Sequence, residues 1–469
     1  MITTTALPHL FEYVNSLNKQ LREDGHGAMT RLQSGMLCFV LLGMLVTQSL
    51  CWARLERASG GAVRSGALSK WLDHGMRVWE FILKVSTKVL MKKFEVASGV
   101  LAIDDTDRGR SKNTTKIWGV HKTFIKGTGG FHQAQNIVVL LLVTPTISFP
   151  VGVRFYRPDP AMKLWKFNNE QLKDQGLPKK QRPPAPTSNP EYPSREQLAL
   201  ELVEEFKTDH SSVYIRAITA DSAYGTPFLI KALASVYPKT QILSQIRSNQ
   251  KIRFKNGRPQ SVSEFFNCRK WKTKTLKLRG HKTTVVHFSN AIVKVESQER
   301  KFRVVAVKYE DEEEPRFIIS HDLSWQSEDI IRYYSLRWLV EVFIEDCKQH
   351  EGWPSLAYQQ DVDGSRYGLI LSLLLDHSLF FHAQQSARIK NKLPALSVGS
   401  LRSVIQHESI FATFQHVLAS DSPHQAFSSL KSRFREVCIF NESTKHLSGR
   451  KMKNFSNRTQ PDSDIKMAA

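Results

Sequence analysis

The sequence predicts a mixed α+β / α/β protein: a core reading β-β-β-α-β-α-β-α, interrupted by a β-rich stretch, with helices before and after it. Three observations predict this. Apolar residues recur at helical spacing up to about residue 96, apolar runs and helical patterns follow one another from Ser98 to Ile246, and short alternating runs fill 251–320. With 469 residues and 41% hydrophobic content, the chain has the length for about two to four domains and enough apolar surface to exclude wholesale disorder.

Residues 1–96 read as helical. Leu68 to Lys93 places Trp71, Met76, Trp79, Ile82, Leu83 and Val89 or Leu90 at helical spacing among Lys and Arg. Met36 to Ala53 is apolar enough to suggest a membrane span. However, Thr47, Gln48 and Ser49 interrupt it, and the remaining apolar core of about 11 residues falls short of the roughly 20 that a bilayer requires. A buried helix is expected there.

From Ser98 the pattern changes to strand-like runs at Val100–Ile103, Ile117–Val120, Asn136–Val143 and Ile147–Tyr156; the first ends in Asp104-Asp105-Thr106. Pro158 to Pro193 holds 8 of the 19 prolines and reads as an exposed connection, 158–195, without an assigned role. A helix over Glu196–Phe206, a strand over Val213–Ala220 ending at Asp221, a helix over Pro227–Val236 and a strand over Gln241–Ile246 come next. Short strands are expected at Thr275–Leu278, Thr283–Phe288, Ala291–Glu296, Phe302–Val307 and Arg316–Ile319. A long helix over Glu328–Gln349 and an apolar helix over Tyr367–Ala383 follow, and residues 443–469, polar and without periodicity, are expected to be disordered.

Charge points to a partner. The net +22 exceeds what solubility needs, which implies a polyanion, nucleic acid before an anionic membrane. Between Lys239 and Lys308 stand 18 Lys and Arg against 3 acids, a local +15, interleaved with Phe254, Phe265, Phe266 and Trp271, as suits a DNA-contacting surface. The 5 cysteines form no C-x2-C pair, and Met1 to Thr30 offers no signal peptide, so a cytoplasmic protein without a zinc or disulfide framework is expected.

The stretch Tyr334 to Lys348 is the most informative for chemistry. At roughly 100° per residue, Tyr334, Arg337, Glu341, Glu345 and Lys348 share one stripe, opposite Leu336, Val340, Phe343 and Cys347. An amphipathic surface helix laced with ion pairs would show the same periodicity. Two further acids, Asp104 and Asp221, each close an apolar strand, where a rigid scaffold can project carboxylates into one site. Three acids beside phosphate-seeking Arg and Lys suggest a metal-dependent phosphodiester site. Three carboxylates can hold two hard cations about 3.5–4 Å apart, one activating an attacking water or 3′-hydroxyl and one stabilising the leaving oxygen.

The spacing Tyr334-x2-Arg337-x3-Glu341-x6-Lys348 resembles the Y-x2-R-x3-E-x6-K signature of bacterial insertion-sequence transposases of the DDE class. IDDT (Ile103 to Thr106) resembles that family's first-Asp motif and ITADSAYG (Ile218 to Gly225) its second, and the resemblance spans roughly Val100 to Trp353. It implies a ribonuclease H-like core over 97–250 and 321–353, a basic β insertion over 251–320, a helical DNA-end-binding region over 1–96 and C-terminal helices over 354–442. It also implies that Asp104, Asp221 and Glu341 ligate two Mg²⁺ ions, replaceable by Mn²⁺, and that Tyr334, Arg337 and Lys348 bind DNA phosphates. Alternation along a strand lets only one of Asp104 and Asp105 face the metals; the family's motif puts the catalytic Asp first. Trp271, the sole Trp in the insertion, is a candidate platform for a flipped base, with core packing as the alternative.

The function so implied is cut-and-paste DNA transposition on the bacterial nucleoid. The enzyme would bind terminal inverted repeats, cleave the ends and join them to target DNA, as a homodimer in the synaptic complex and without a membrane. The competing readings are a ribonuclease H-like nuclease without strand transfer, an inactive domesticated DNA-binding protein, and an integral membrane protein.

Overall fold

The computed structural model describes residues 7–437, apart from 75–77, 112, 126–128, 256, 280–281, 297–299, 311 and 354–360. The tail expected to be disordered, 443–469, lies outside the described residues.

The described residues begin with five helices, α1 (Pro8–Glu23), α2 (Arg31–Thr47), α3 (Trp52–Ala58), α4 (Ser65–His74) and α5 (Trp79–Lys93). Local chemistry sets their starts: Pro8 occupies the first turn of α1, and Thr30 and Gln33 cap α2 reciprocally. Leu37 to Leu45 of α2 are all buried, each large side chain contributing about 1.5–3 kcal/mol of burial. No single described helix is long and apolar enough to cross a membrane; α2 and α3 reach that length only together, across an 88° bend.

The next strands are β1 (Ser98–Arg110), β2 (His121–Ile125), β3 (Gly130–Val143) and β4 (Ser148–Tyr156). The run Ile117–Val120 is not a strand. It is a turn closed by the Val120 N–H on the Ile117 carbonyl, with Gly119 at φ +75°, and the strand begins one residue later at His121. The proline-rich connection is not purely irregular either. Asp159 caps, and Pro160 starts, a helix α6 (Pro160–Asp174) with no buried residue, so local capping forms it without a core to pack on.

After α6 come α7 (Arg195–Asp209), β5 (Tyr214–Ala220), α8 (Pro227–Val236) and β6 (Gln241–Ile246). The stretch 251–320 contains β7 (Lys251–Arg253), β8 (Gln260–Ser261), a short helix α9 (Val262–Asn267), β9 (Lys272–Leu278), β10 (Lys282–Val295), β11 (Lys301–Tyr309) and β12 (Arg316–Ser320). The two strands expected at 283–288 and 291–296 are one, because β11 pairs with β10 without interruption from Val286 to Lys294.

Among the described residues, all twelve strands belong to one mixed sheet in the order β2-β3-β1-β5-β6-β12-β11-β10-β7-β8, with β4 on β3 and β9 on β10. β1, β5 and β6 run parallel, and β12 joins antiparallel to β6 through Phe317↔Ile246 to Ser320↔Leu243. The basic stretch therefore extends the core sheet instead of forming a separate one. Val138 to Leu142 of β3 are buried without alternation, as expected of a strand covered on both faces.

The expected single helix over Glu328–Gln349 is two, α10 (Ser327–Ser335) and α11 (Trp338–Gln349). Between them the ladder tightens to three-residue bonds, Leu336 N–H to Tyr333 O and Arg337 N–H to Tyr334 O. The C-terminal helices are α12 (Val362–Leu379), α13 (Ala383–Lys390), α14 (Val398–Leu418) and α15 (Pro423–Val437). The apolar helix expected over Tyr367–Ala383 thus starts five residues earlier and ends at Leu379, where Phe380 to His382 turn into α13.

Candidate active site

Parallel pairing of β1 with β5 sets Ile103 opposite Ala220, so Asp104 and Asp221 follow side by side where the two strands leave their shared register. Asp221 begins a turn: its carboxylate accepts from the Ala223 N–H at 2.7 Å and its carbonyl from Ser244 Oγ at 2.8 Å. Gly225 lets this turn lie on β6, since a Cβ there would meet the Gln245 carbonyl oxygen and Ser244 Oγ at 2.9 Å. Glu341 comes from the first turn of α11, where the helix dipole favours an anion.

Arg337 joins two of these elements. Its Nη1 donates to Asp104 Oδ2 at 2.8 Å and its Nη2 to Glu341 Oε1. Arg337 and Asp104 are 11% and 13% exposed, whereas Glu341 is half exposed, so the first pair is inside and the second at the rim. Burial, reinforced by the neighbouring Asp221 and Asp105, pushes the Asp104 carboxyl up to about 7 against the attraction of Arg337. The three carboxylates concentrate negative charge at one place, yet they lie farther apart than 4.8 Å as a set. Among the described residues only His9, His382 and Glu408 bring three metal-ligating atoms that close.

Strand alternation separates the adjacent acids. Asp104 and Thr106 face α11, through Arg337 and through Lys348 Nζ at 2.7 Å from Thr106 Oγ1. Asp105 faces the other way, within 2.9 Å of Arg195 Nη1 on α7 and accepting from the Tyr224 hydroxyl at 3.1 Å. The structure therefore brings Asp104 together with Glu341, Arg337 and Asp221, and leaves Asp105 in a separate hydrogen-bonded pocket.

The other expected site residues fall differently. Tyr334 is buried, and its hydroxyl donates to Gln245 Oε1 at 3.2 Å, with burial raising it to about 12. It therefore packs within the wall of the site, near Arg337 and Asp221. Trp271 is half-buried against the core, with Nε1 donating to the Phe266 carbonyl at 3.3 Å, at the far end of β9 from Arg279.

Three residues near the site escaped the sequence reading. Trp338, beside Arg337, is 40% exposed and lies under the Arg279 guanidinium at 4.2 Å from the ring centre. Arg195 and Tyr224 hold Asp105, and Tyr224 already stood in the ITADSAYG segment. On the other side of the α10–α11 break, Arg216, Lys277, Arg279 and Arg332 line a groove of about 510 Å³ floored by Val100, Tyr333, Leu336 and Leu339. The cations of β9 and of the core thus converge on one face.

Two family models match the chain: DDE superfamily endonuclease over residues 54–261, and Transposase DDE domain over residues 187–374. The first spans Asp104 and Asp221, the second Asp221 and Glu341. No curated protein matches. Among solved structures, the piggyBac transposase synaptic complex with hairpin DNA is similar at 13% identity and a TM-score of 0.39, over 93% of this chain and 84% of that one. The two family matches support a DDE transposase.

Proposed function

We propose that this chain is a DNA transposase of the insertion-sequence type, with a ribonuclease H-like core and a catalytic set of Asp104, Asp221 and Glu341. The observation that carries the reading is the Arg337 bridge from Asp104 to Glu341 beside Asp221, which ties two strand ends and a helix start into one carboxylate site.

The donor set fits Mg²⁺ or Mn²⁺: the ligands are hard oxygens, and Asp104, whose carboxyl is raised chiefly by burial, also feels the charges of Asp221 and Asp105. When bound, a metal-ion pair supplies Lewis-acid polarisation of the scissile phosphate and orients the attacking and leaving oxygens. Asp104, Asp221 and Glu341 would hold it. Arg337 and Lys348, on the same side of β1, would position phosphate oxygens. Tyr334 supports this wall through Gln245. The cationic groove and β9 would carry the DNA backbone, and the N-terminal helices would bind the terminal inverted repeats. A homodimer acting on the bacterial nucleoid, in the cytoplasm, completes the proposal.

A two-plasmid reaction tests it: purified protein, a donor with the element's ends, supercoiled target and Mg²⁺. Excised element joined to target is expected, and single Ala substitutions of Asp104, Asp221 or Glu341 should abolish cutting while end binding persists. Cut ends that never join would establish a nuclease instead, and binding without cutting an inactive DNA-binding protein.

A further inference from the structure

Away from the acidic site, the two ends of the chain meet in a second cluster. His9 lies in the first turn of α1, His382 immediately precedes α13 and Glu408 lies in α14, and these three present one ligand atom each within 4.8 Å of one another. The imidazoles are 5% and 3% exposed and meet edge to face, their centres 5.1 Å apart. His382 Nε2 is 3.1 Å from Glu408 Oε1, whereas His9 Nε2 and His382 Nδ1, both buried, have no hydrogen-bond partner. A buried ring nitrogen without a partner is uncommon, because it forfeits its hydration with nothing in return. Glu408 is 40% exposed, so one side of the cluster is open to water.

We infer that His9, His382 and Glu408 form a Zn²⁺ site, distinct from the catalytic acids, that clips the first helix of the chain to the C-terminal helices. Two imidazoles and one carboxylate suit Zn²⁺ better than Mg²⁺, which prefers oxygen donors and keeps its waters. Zn–N and Zn–O bonds of about 2.0–2.2 Å in a tetrahedron need ligand atoms about 3.3 Å apart. Side chains already within 4.8 Å reach that by small rotations. The fourth position falls to water on the side that Glu408 opens. The ion gives the orphaned His9 nitrogen a partner and crosslinks helices from opposite ends of the sequence, so that binding it stabilises the folded chain.

The test uses the full chain, stripped with chelator and titrated with Zn²⁺ or Co²⁺ alone. One tight equivalent, beyond any ions taken by the acidic set, is expected to bind, to raise the unfolding temperature and, for Co²⁺, to give the strong visible absorption of a four-coordinate ion that distinguishes it from the all-oxygen carboxylate site. Loss of one ligand should weaken binding at least about 100-fold, the upper end of what loss of a mere supporting partner costs. His382→Gln and the half-exposed Glu408→Gln should both do so, the latter without endangering the fold. Asp221→Ala should leave the absorption intact. An absorption that persists in Glu408→Gln and His382→Gln, that disappears in Asp221→Ala, or that never forms overturns the assignment, and none of these results bears on strand cleavage.

Discussion

Arg337 Nη1 stands 2.8 Å from Asp104 Oδ2, across 233 residues of sequence, and the same guanidinium reaches Glu341 four residues along its own chain. A cation of the protein thus sits between two acids proposed to hold metal, at the start of α11, where the backbone stays helical through the tightened turn from α10.

Removing Arg337 should expose this balance. Arg337→Ala leaves Asp104 buried without its partner, a loss on the order of 3 kcal/mol for a buried pair. The variant is expected to unfold at lower temperature without divalent ions and to gain more from added Mg²⁺ than the parent chain. Thermal scans with and without MgCl₂ measure this, and equal Mg²⁺ responses would contradict the shared site.

The adjacent acids should behave differently. Asp104→Asn is expected to lower single-turnover cleavage by at least about 1,000-fold, several kcal/mol of transition-state stabilisation. Asp105 is instead held by Arg195 and Tyr224. Asp105→Asn should keep cleavage within about tenfold of the parent while losing up to about 3 kcal/mol of stability. The reverse pattern in the two cleavage rates would exchange their roles.

Under the proposed function, Trp338, 40% exposed beside Arg337, is expected to touch DNA, and Trp271 is not. Trp338→Ala should weaken binding of unpaired element ends by about 1–3 kcal/mol, the contribution of one stacked base. Trp271→Ala should instead lower the unfolding temperature and leave end affinity unchanged. Fluorescence anisotropy with each variant separates them.

A buried pair contributes to the pH dependence of stability. Glu351 and Asp376 each keep one buried carboxyl oxygen without an ordinary partner, and Glu351 also accepts from the Cys347 thiol at 3.0 Å. A proton shared between them would satisfy both carboxyls, and burial raises Glu351 well above the usual range and Asp376 to about 7. Because the folded state holds the proton more tightly, this stability is complete below about pH 4, where the unfolded carboxyls are also protonated, and declines as pH rises to about 7 and beyond. Asp376→Asn should flatten that decline. Denaturant midpoints from pH 4 to 8 would show it, and an equally steep fall in the variant would refute the shared proton.

The exposed cations of β9 predict a salt response. Each of Lys272 and Lys277 that contacts a phosphate should, when changed to Ala, reduce the slope of log affinity against log salt by about 0.9. Unchanged slopes would place the DNA elsewhere.

Much of this was readable in one dimension. The apolar runs that end at Asp104 and Asp221, the amphipathic stretch bearing Arg337 and Glu341, and the capped helix starts are local patterns, governed by periodicity and by hydrogen bonds within a few residues. The helix break at Leu336-Arg337 was not readable, because the stretch keeps its helical periodicity across it; nor was α6, because its caps lie in a run of prolines.

The linear chain settled which residue types stand at the ends of strands and at the start of α11, since side-chain periods of 2 and 3.6 are properties of the backbone itself. The tertiary structure alone decided that Asp104 and not Asp105 faces Arg337, that β12 extends the sheet from β6, that Tyr334 is buried against Gln245, and that His9 meets His382. Those outcomes rest on strand register and on pairings across hundreds of residues, where a shift of one position reverses every side chain and no local pattern records the choice.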